Sequence, residues 1–260
     1  MTSDAQQDWN PETYNRFRGL RLRPALDLLA QVPSVPEGPI VDLGCGAGAV
    51  GSALVARFGA RILGVDNSPA MLAQAAATGD YQSLIHGDIA DWCPETPPVM
   101  IFSNAALQWL PNHDTLFPRL LRALGPSGVL AVQMPRQSFA PSHRFLRDIA
   151  QAMFPDRFDF TGYEAPVQPA FAYWEMLSPF GEVQAWETEY VQRVEPATGA
   201  HPVRRFTEST AMRPFLESMT PPEVDGFIAR YDAALAAAYP LLPDGSALMP
   251  FRRVFFTVKV

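Results

Sequence analysis

Ile40-Val41-Asp42-Leu43-Gly44-Cys45-Gly46-Ala47-Gly48 is the stretch on which the reading of this chain turns. A short apolar run with β-branched residues leads straight into alternating glycines. A helical pattern follows from Val50 to Phe58. A buried parallel strand that turns sharply into a helix is written this way. The glycines have a mechanical reason: they tolerate positive φ and let bare backbone approach a ligand at the helix N-terminus.

Two ligand classes use this geometry, dinucleotides and S-adenosylmethionine, and the stretch by itself fits both. Gly46-x-Gly48-x-x-Gly51 is a literal dinucleotide fingerprint. Gly44-x-Gly46-x-Gly48, with Asp42 in the strand before it, suits the second class. The choice depends on what surrounds the loop.

Outward from the loop, strands are expected at Ile40–Leu43, Arg61–Val65, Ser83–His86, Val99–Ser103 and Val129–Met134. Helices are expected between them at Val50–Phe58, Pro69–Thr78 and Thr115–Leu124, with Ser68 capping the second. Strands alternating with helices mean βαβ units and a parallel sheet covered on both faces. Upstream, Asn10 and Pro11 open a helical stretch that Pro24 is expected to interrupt, restarting as Ala25 to Gln31. Downstream of Pro135 the pattern changes: a helix near His143–Phe154, another at Ala172–Leu177, an alternating strand at Val183–Val194, helices near Thr210–Ser218 and Glu223–Tyr239, and a closing strand at Arg253–Val258.

These elements suggest a single domain over 1–260. It would comprise an N-terminal helical segment at 1–32, a cofactor-binding half at 33–135, and substrate-cap insertions at 136–170 and 197–250. Long excursions between sheet elements usually carry a binding or lid function.

Composition narrows the function. The formal net charge is −7 with no basic run, which argues against nucleic acid as the main partner. Of the twenty cationic residues all but Lys259 are arginine, so any anion site must use guanidinium groups. Cys45 and Cys93 make neither a disulfide framework nor metal-ligand spacing. No apolar run spans a bilayer, and residues 1–9 lack the core of a signal peptide, so a soluble cytoplasmic protein without a metal or an obligate protein partner is expected.

In an open parallel sheet, ligands bind outside the carboxyl ends of the strands. The first strand end supplies Asp42 and the glycines; the second Asp66, followed by Asn67; the third Asp88 and Ile89; the fourth Asn104. Acids at three successive strand ends suit a ligand with a ribose, an amino-substituted base and an ammonium group. They suit a pyrophosphate poorly, because Asp42 would repel it. This tips the reading toward S-adenosylmethionine.

On these residues the chain resembles the class I S-adenosylmethionine-dependent methyltransferases over nearly its whole length. That resemblance implies a Rossmann-like α/β sheet, mostly parallel with its last strand antiparallel, carrying helical cap insertions. It implies that Gly44, Gly46 and Gly48 approach the methionine part of the cofactor, that Asp42 helps hold its ammonium, and that Asp66 holds the ribose. Asp88 would meet the adenine amino group with Ile89 beside the ring, and the Asn104 carbonyl would face the ammonium. S-adenosylhomocysteine would be the product left behind.

Four segments narrow the resemblance: Asp8-Trp9-Asn10-Pro11, Asn104-Ala105-Ala106-Leu107-Gln108-Trp109-Leu110-Pro111, Val129 to Pro135, and Met212-Arg213-Pro214. Together they are similar to the bacterial trans-aconitate 2-methyltransferase family. The Leu-Gln-Trp-Leu-Pro segment also occurs in carboxyl methyltransferases acting on malonyl-type carrier-protein thioesters, which leaves that acceptor as an alternative. A dinucleotide-dependent oxidoreductase is the alternative from another class.

A carboxylate acceptor needs no catalytic general base, since its pKa of about 4 leaves it ionised at neutral pH. Holding its oxygen in line with the methyl group is worth up to about 7–11 kcal/mol in favourable cases. A small polycarboxylate needs cations for the groups that do not react, and a planar guanidinium takes a carboxylate bidentately. The candidates are Arg21, Arg23, Arg213 and Arg253, for each of which a surface salt bridge is the plainer role. Gln108 and Trp109 are expected to border the cofactor sulfur and the acceptor, and Tyr14 to close over the cofactor. His113 and His86 are read as structural.

Overall fold

The structure, a computed structural model, describes residues 18–59, 62–208 and 210–260, with side chains from Leu22 onward. The chain begins there with α1 (Arg18–Gln31), then β1 (Ile40–Leu43), α2 (Gly51–Phe58), β2 (Ile62–Asp66), α3 (Pro69–Thr78), β3 (Ser83–His86) and β4 (Met100–Asn104). A 3-10 turn (Leu107–Trp109), α4 (His113–Arg122) and β5 (Val129–Pro135) follow. The second half holds α5 (Pro141–Met153), α6 (Ala170–Leu177), β6 (Glu182–Val194), α7 (Pro202–Glu208), α8 (Arg213–Leu216), α9 (Pro221–Ala238) and β7 (Ala247–Lys259).

The strands form one seven-stranded sheet in the order β3-β2-β1-β4-β5-β7-β6. β1, β2, β3, β4 and β5 run parallel, and β7 pairs antiparallel to β5 with Gln133 opposite Phe255 and Pro135 opposite Arg253. The expected architecture is therefore present. Chain order reverses between β1 and β4, the switch point at which the carboxyl ends of neighbouring strands open a crevice. The glycine loop after β1 lies at that point.

Burial explains the central strands. All four residues of β1 are buried, and so are Met100 to Ser103 of β4 and Val129 to Met134 of β5. Runs buried on both faces are what a covered parallel sheet requires. β3, at the sheet edge, is mostly exposed. Ser68 caps α3 by accepting from Met71 N–H at 3.2 Å, with Pro69 just inside, as the sequence implies.

By internal contacts the chain divides into two compact units. The first holds the described residues up to Pro135 together with Gln168–Thr188 and Arg253–Val260. Its core includes Phe117, Tyr173 and Phe256, whose rings meet at centroid distances of 5.0–5.6 Å. The second holds Arg136–Val167 and Glu189–Arg252. There α5 and α9 are pinned by Tyr231, whose hydroxyl donates to the Ser142 carbonyl at 2.6 Å, and by the Tyr239 hydroxyl, which accepts from Ser142 N–H at 3.1 Å. The buried Arg204 guanidinium is paired with Asp232 at 2.8 Å and with Glu208.

Three local expectations need correction. α1 runs unbroken through Pro24. Proline there removes one intrahelical donor, but Ala25, Leu28 and Leu29 are buried along the same helix, and that burial outweighs the loss. The helix expected over Thr210–Ser218 is short, Arg213–Leu216, because Pro214 has no N–H to offer the Thr210 carbonyl and serves instead in the first turn. β7 starts six residues earlier than Arg253: Ala247, Met249, Phe251 and Arg253 are buried and alternate with exposed Leu248, Pro250 and Arg252. Pro250 is exposed and lies before the part of β7, Arg253 to Lys259, that pairs with β5.

Phe117 is fully buried, with aromatic neighbours on two sides. Phe117→Ala should cost about 3–5 kcal/mol, read as a lower urea midpoint in equilibrium unfolding.

Candidate cofactor site at the carboxyl ends of the strands

The glycine loop is held from below by β2. The amides of Gly44 and Cys45 both donate to the Val65 carbonyl, at 2.8 and 3.0 Å, and Gly46 N–H reaches the Asp66 carboxylate at 2.8 Å. The other oxygen of Asp66 accepts from Ser68 N–H at 2.9 Å. Each carboxylate oxygen therefore keeps a further lone pair.

Two glycines show why no other residue serves. Gly44 has φ 79°, and a β-carbon there would lie 2.2 Å from that of Ala106. Gly46 has φ 53°, yet a β-carbon would meet nothing within 4 Å. Its backbone faces open space, as a loop that admits a ligand should. Ile89 reaches the loop from the third strand end, with its Cδ1 3.2 Å from where a Gly44 β-carbon would be.

Asp42 is only 2% exposed and accepts the Tyr81 hydroxyl at 2.7 Å. Burial pushes its carboxyl up to about 7; the Tyr81 hydrogen bond pulls the other way, and nearby Asp66 adds to the rise. Tyr81 also packs on the glycine loop and β2, within 2.8–3.0 Å of the β-carbon positions of Gly48, Gly51 and Gly64. Sequence reasoning missed Tyr81, because a tyrosine 39 residues from its partner leaves no local signal. Burial and the two acids also push the Cys45 thiol well above its ordinary value, which leaves it inert.

The third strand end is exposed. Asp88 accepts from Ala90 N–H at 2.8 Å through one oxygen, and the exposed His86 meets the Asn67 carbonyl at 3.1 Å. At the fourth, Asn104 precedes Ala105, which adopts φ 55°. Gln108 turns back to donate to the Ala105 carbonyl at 2.8 Å, and Trp109 stands 59% exposed. Asn104 Oδ1 and Gln108 Oε1 are buried and have no hydrogen-bond partner among the described residues.

His113, the first residue of α4, is buried and structural. Its Nε2 faces the Leu107 carbonyl at 3.0 Å, which only accepts, so Nε2 carries the proton. Nδ1 then accepts the Tyr173 hydroxyl at 2.8 Å. Burial lowers its pKa, keeping the ring neutral.

The expected cations are not gathered in one place by anything described. Arg253 is 4% exposed at the β7 position opposite Pro135, and its Nη1 donates to Gln133 Oε1 at 3.2 Å. Gln133, fully buried on β5 in register with Asn104, had been assigned no role from sequence. Arg23 stands on an exposed helix face 3.9 Å from Asp27. Arg213 belongs to the second unit, half exposed and 3.5 Å from Glu217. Tyr14 and the Arg21 side chain lie outside the described residues. No cluster of metal-ligating side chains occurs among the described residues, and none of their helices is long and apolar enough to cross a membrane.

Residues 40–128, which span β1 to the start of β5, match the family described as a methyltransferase domain. Solved structures share the fold. A Bacillus subtilis protein, YcgJ, superposes with a TM-score of 0.57 at 12% identity over 92% of this chain and 98% of that one. Haemonchus contortus phosphoethanolamine N-methyltransferase 2, solved with S-adenosyl-L-methionine, gives 0.55 at 18% identity over 95% of this chain, which spans 56% of that longer one. Sequence relatives are nearer. Trans-aconitate 2-methyltransferases from Methylobacterium radiotolerans and Escherichia coli are each 40% identical over 97% of this chain and 98% of their own; that of Paracidovorax citrulli is 39% identical over the same shares. The chain belongs to the trans-aconitate 2-methyltransferase family of class I methyltransferases.

The raised Asp42 carboxyl gives a pH-dependent expectation. Its folded pKa, about 7, exceeds the ordinary 3.8, so the folded state holds this proton longer than the unfolded chain. The contribution to stability is complete below pH 3.8 and is lost as pH rises through about 7. Asp42→Asn should therefore melt higher than the native chain at pH 8. That advantage should shrink toward pH 4, as followed by thermal unfolding without ligand.

Proposed function

We propose that this protein transfers a methyl group from S-adenosylmethionine to a carboxylate of trans-aconitate, or of a similar small polycarboxylic acid, releasing S-adenosylhomocysteine and a monomethyl ester. The observation that carries this reading is likeness along essentially the whole chain to trans-aconitate 2-methyltransferases, 97% of this chain against 98% of theirs. It extends far beyond the loop common to many methyltransferases. The net charge of −7 and the lack of a basic run also suit a small anionic acceptor better than nucleic acid or an acidic carrier protein. We place the enzyme in the cytoplasm, acting without an obligate protein partner.

The residues at the strand ends fit the cofactor. The open face of Gly46, the remaining lone pairs of Asp66, and the buried partnerless oxygens of Asn104 and Gln108 together favour a group rich in donors. In this assignment Gly44, Gly46 and Gly48 border the methionine part, and Asp42 with Asn104 favours the ammonium. Asp66 with Asn67 takes the ribose, and Asp88 with Ile89 the adenine. When bound, the cofactor supplies an electrophilic methyl group on a sulfonium.

The chain has no proton to move. The acceptor is ionised near neutral pH, so its oxygen forms the new bond with its own lone pair, and neither His113 nor His86 is needed as a base. The protein's work is to hold the reacting oxygen in line and keep water out. Gln108 and Trp109 are assigned to the border between the two ligands. Arg253, buried and oriented by Gln133, is the best-prepared cation for a carboxylate that does not react. Tyr14, Arg21, Arg23 and Arg213 remain candidates for acceptor recognition, as do the insertions at 136–170 and 197–250.

Turnover with methyl-labelled S-adenosylmethionine tests the acceptor, offering trans-aconitate beside cis-aconitate, citrate, isocitrate and a malonyl thioester. Trans-aconitate should be labelled preferentially, as a base-labile ester; preferred labelling of the thioester would overturn the reading. Arg253→Met should raise the acceptor KM about tenfold or more, as expected when a hydrogen bond to a charged group is lost, with a smaller effect on the cofactor KM.

A further inference from the structure

We propose that Arg119, on α4, is a positioning residue for recognition of the cofactor's base. Its Nη1 donates to the Trp92 carbonyl at 2.6 Å and its Nη2 to the Ile89 carbonyl at 2.9 Å. One guanidinium thus spans the loop that follows β3, clamping it at both ends from a helix 27 to 30 residues away in sequence. Arginine suits this task because its fork is planar and its donors are fixed relative to one another.

The clamped loop carries the groups assigned to adenine, so the inference rests on that assignment. Ile89, whose carbonyl is held, sends its side chain to the glycine loop beside Gly44. The same peptide unit supplies Ala90 N–H, which donates to one oxygen of Asp88 at 2.8 Å. A guanidinium on the carbonyl polarises that peptide and strengthens its N–H as a donor. The Asp88 carboxylate is thereby steered through a chain of two hydrogen bonds, from Arg119 to the Ile89 carbonyl and from Ala90 to Asp88. It is otherwise an exposed side chain. An unsteered exposed carboxylate would accept from a base amino group poorly, because ordering it costs side-chain entropy. Arg119 touches neither substrate nor cofactor in this scheme.

The test compares binding of S-adenosylhomocysteine with that of its 6-oxo analogue, S-inosylhomocysteine, by calorimetry on the full chain. The variants are Arg119→Met, Arg119→Lys and Asp88→Ala, with exposed Arg122→Ala on the same helix as control. The native protein should prefer the 6-amino base. Arg119→Met should weaken S-adenosylhomocysteine about tenfold, the loss that goes with one charge-assisted hydrogen bond, and erode that preference. Its acceptor KM should change less than twofold. Arg119→Lys, which keeps the charge but not the fork, should fall between, and supplies the measurement if Arg119→Met does not fold. Loss of the preference in Asp88→Ala but not in either Arg119 variant would overturn the proposal. An unchanged preference in Asp88→Ala would overturn the adenine assignment beneath it.

Discussion

The Asp66 carboxylate joins two segments that are otherwise only neighbours. One oxygen takes Gly46 N–H and the other Ser68 N–H, so the glycine loop after β1 and the turn into α3 share one anchor at the end of β2. The loop contributes almost no side chains of its own and must be shaped from outside. The Val65 carbonyl, which receives two loop amides, does the rest. Without these contacts, glycines at φ 79°, 53° and 79° would have little reason to keep one arrangement, since glycine gives up more backbone entropy than any other residue.

Asp42 carries the opposite energetic sign. A carboxylate that is 2% exposed, near a second acid and with a neutral tyrosine hydroxyl as its hydrogen-bond donor, opposes folding at neutral pH. That cost is intelligible if a cation sits nearby during turnover, because a positive charge returns the carboxyl toward its ionised form. Strain of this kind concentrates at functional sites. Tyr81 moderates it, and the same ring fills the space left by glycines on the loop, on α2 and on β2. Packing and electrostatics at the loop are thus served by one side chain.

α4 plays a comparable part on the other side of the switch point. From its first turn His113 holds the Leu107 carbonyl, and with it the turn that carries Gln108 and Trp109. From its last turns Arg119 holds the loop after β3. The residues assigned to the ligands at these places sit on short irregular segments, which are shaped by side chains of a regular element behind them.

The parallel sheet was legible because short runs rich in apolar residues alternate with helical patterns along the chain. Ile40–Leu43 and Ser83–His86 fall where expected to the residue. The acids at the strand ends were legible for a related reason: in this topology, sequence position alone puts Asp42, Asp66 and Asp88 at one edge. Pro24 misled, since a proline's local cost is set against burial that local sequence does not display. Tyr81, Gln133 and Arg119 were invisible for a deeper reason. Their partners lie 39, 120 and 27 to 30 residues away. Hydrogen bonds over such separations leave no periodicity and no spacing. The sequence by itself determined the order of strands and helices and the chemistry offered at the strand ends, through short-range pattern and turn stereochemistry. Only the tertiary structure decided which distant side chains hold those groups in place, because that depends on what the folded backbone brings within hydrogen-bonding reach.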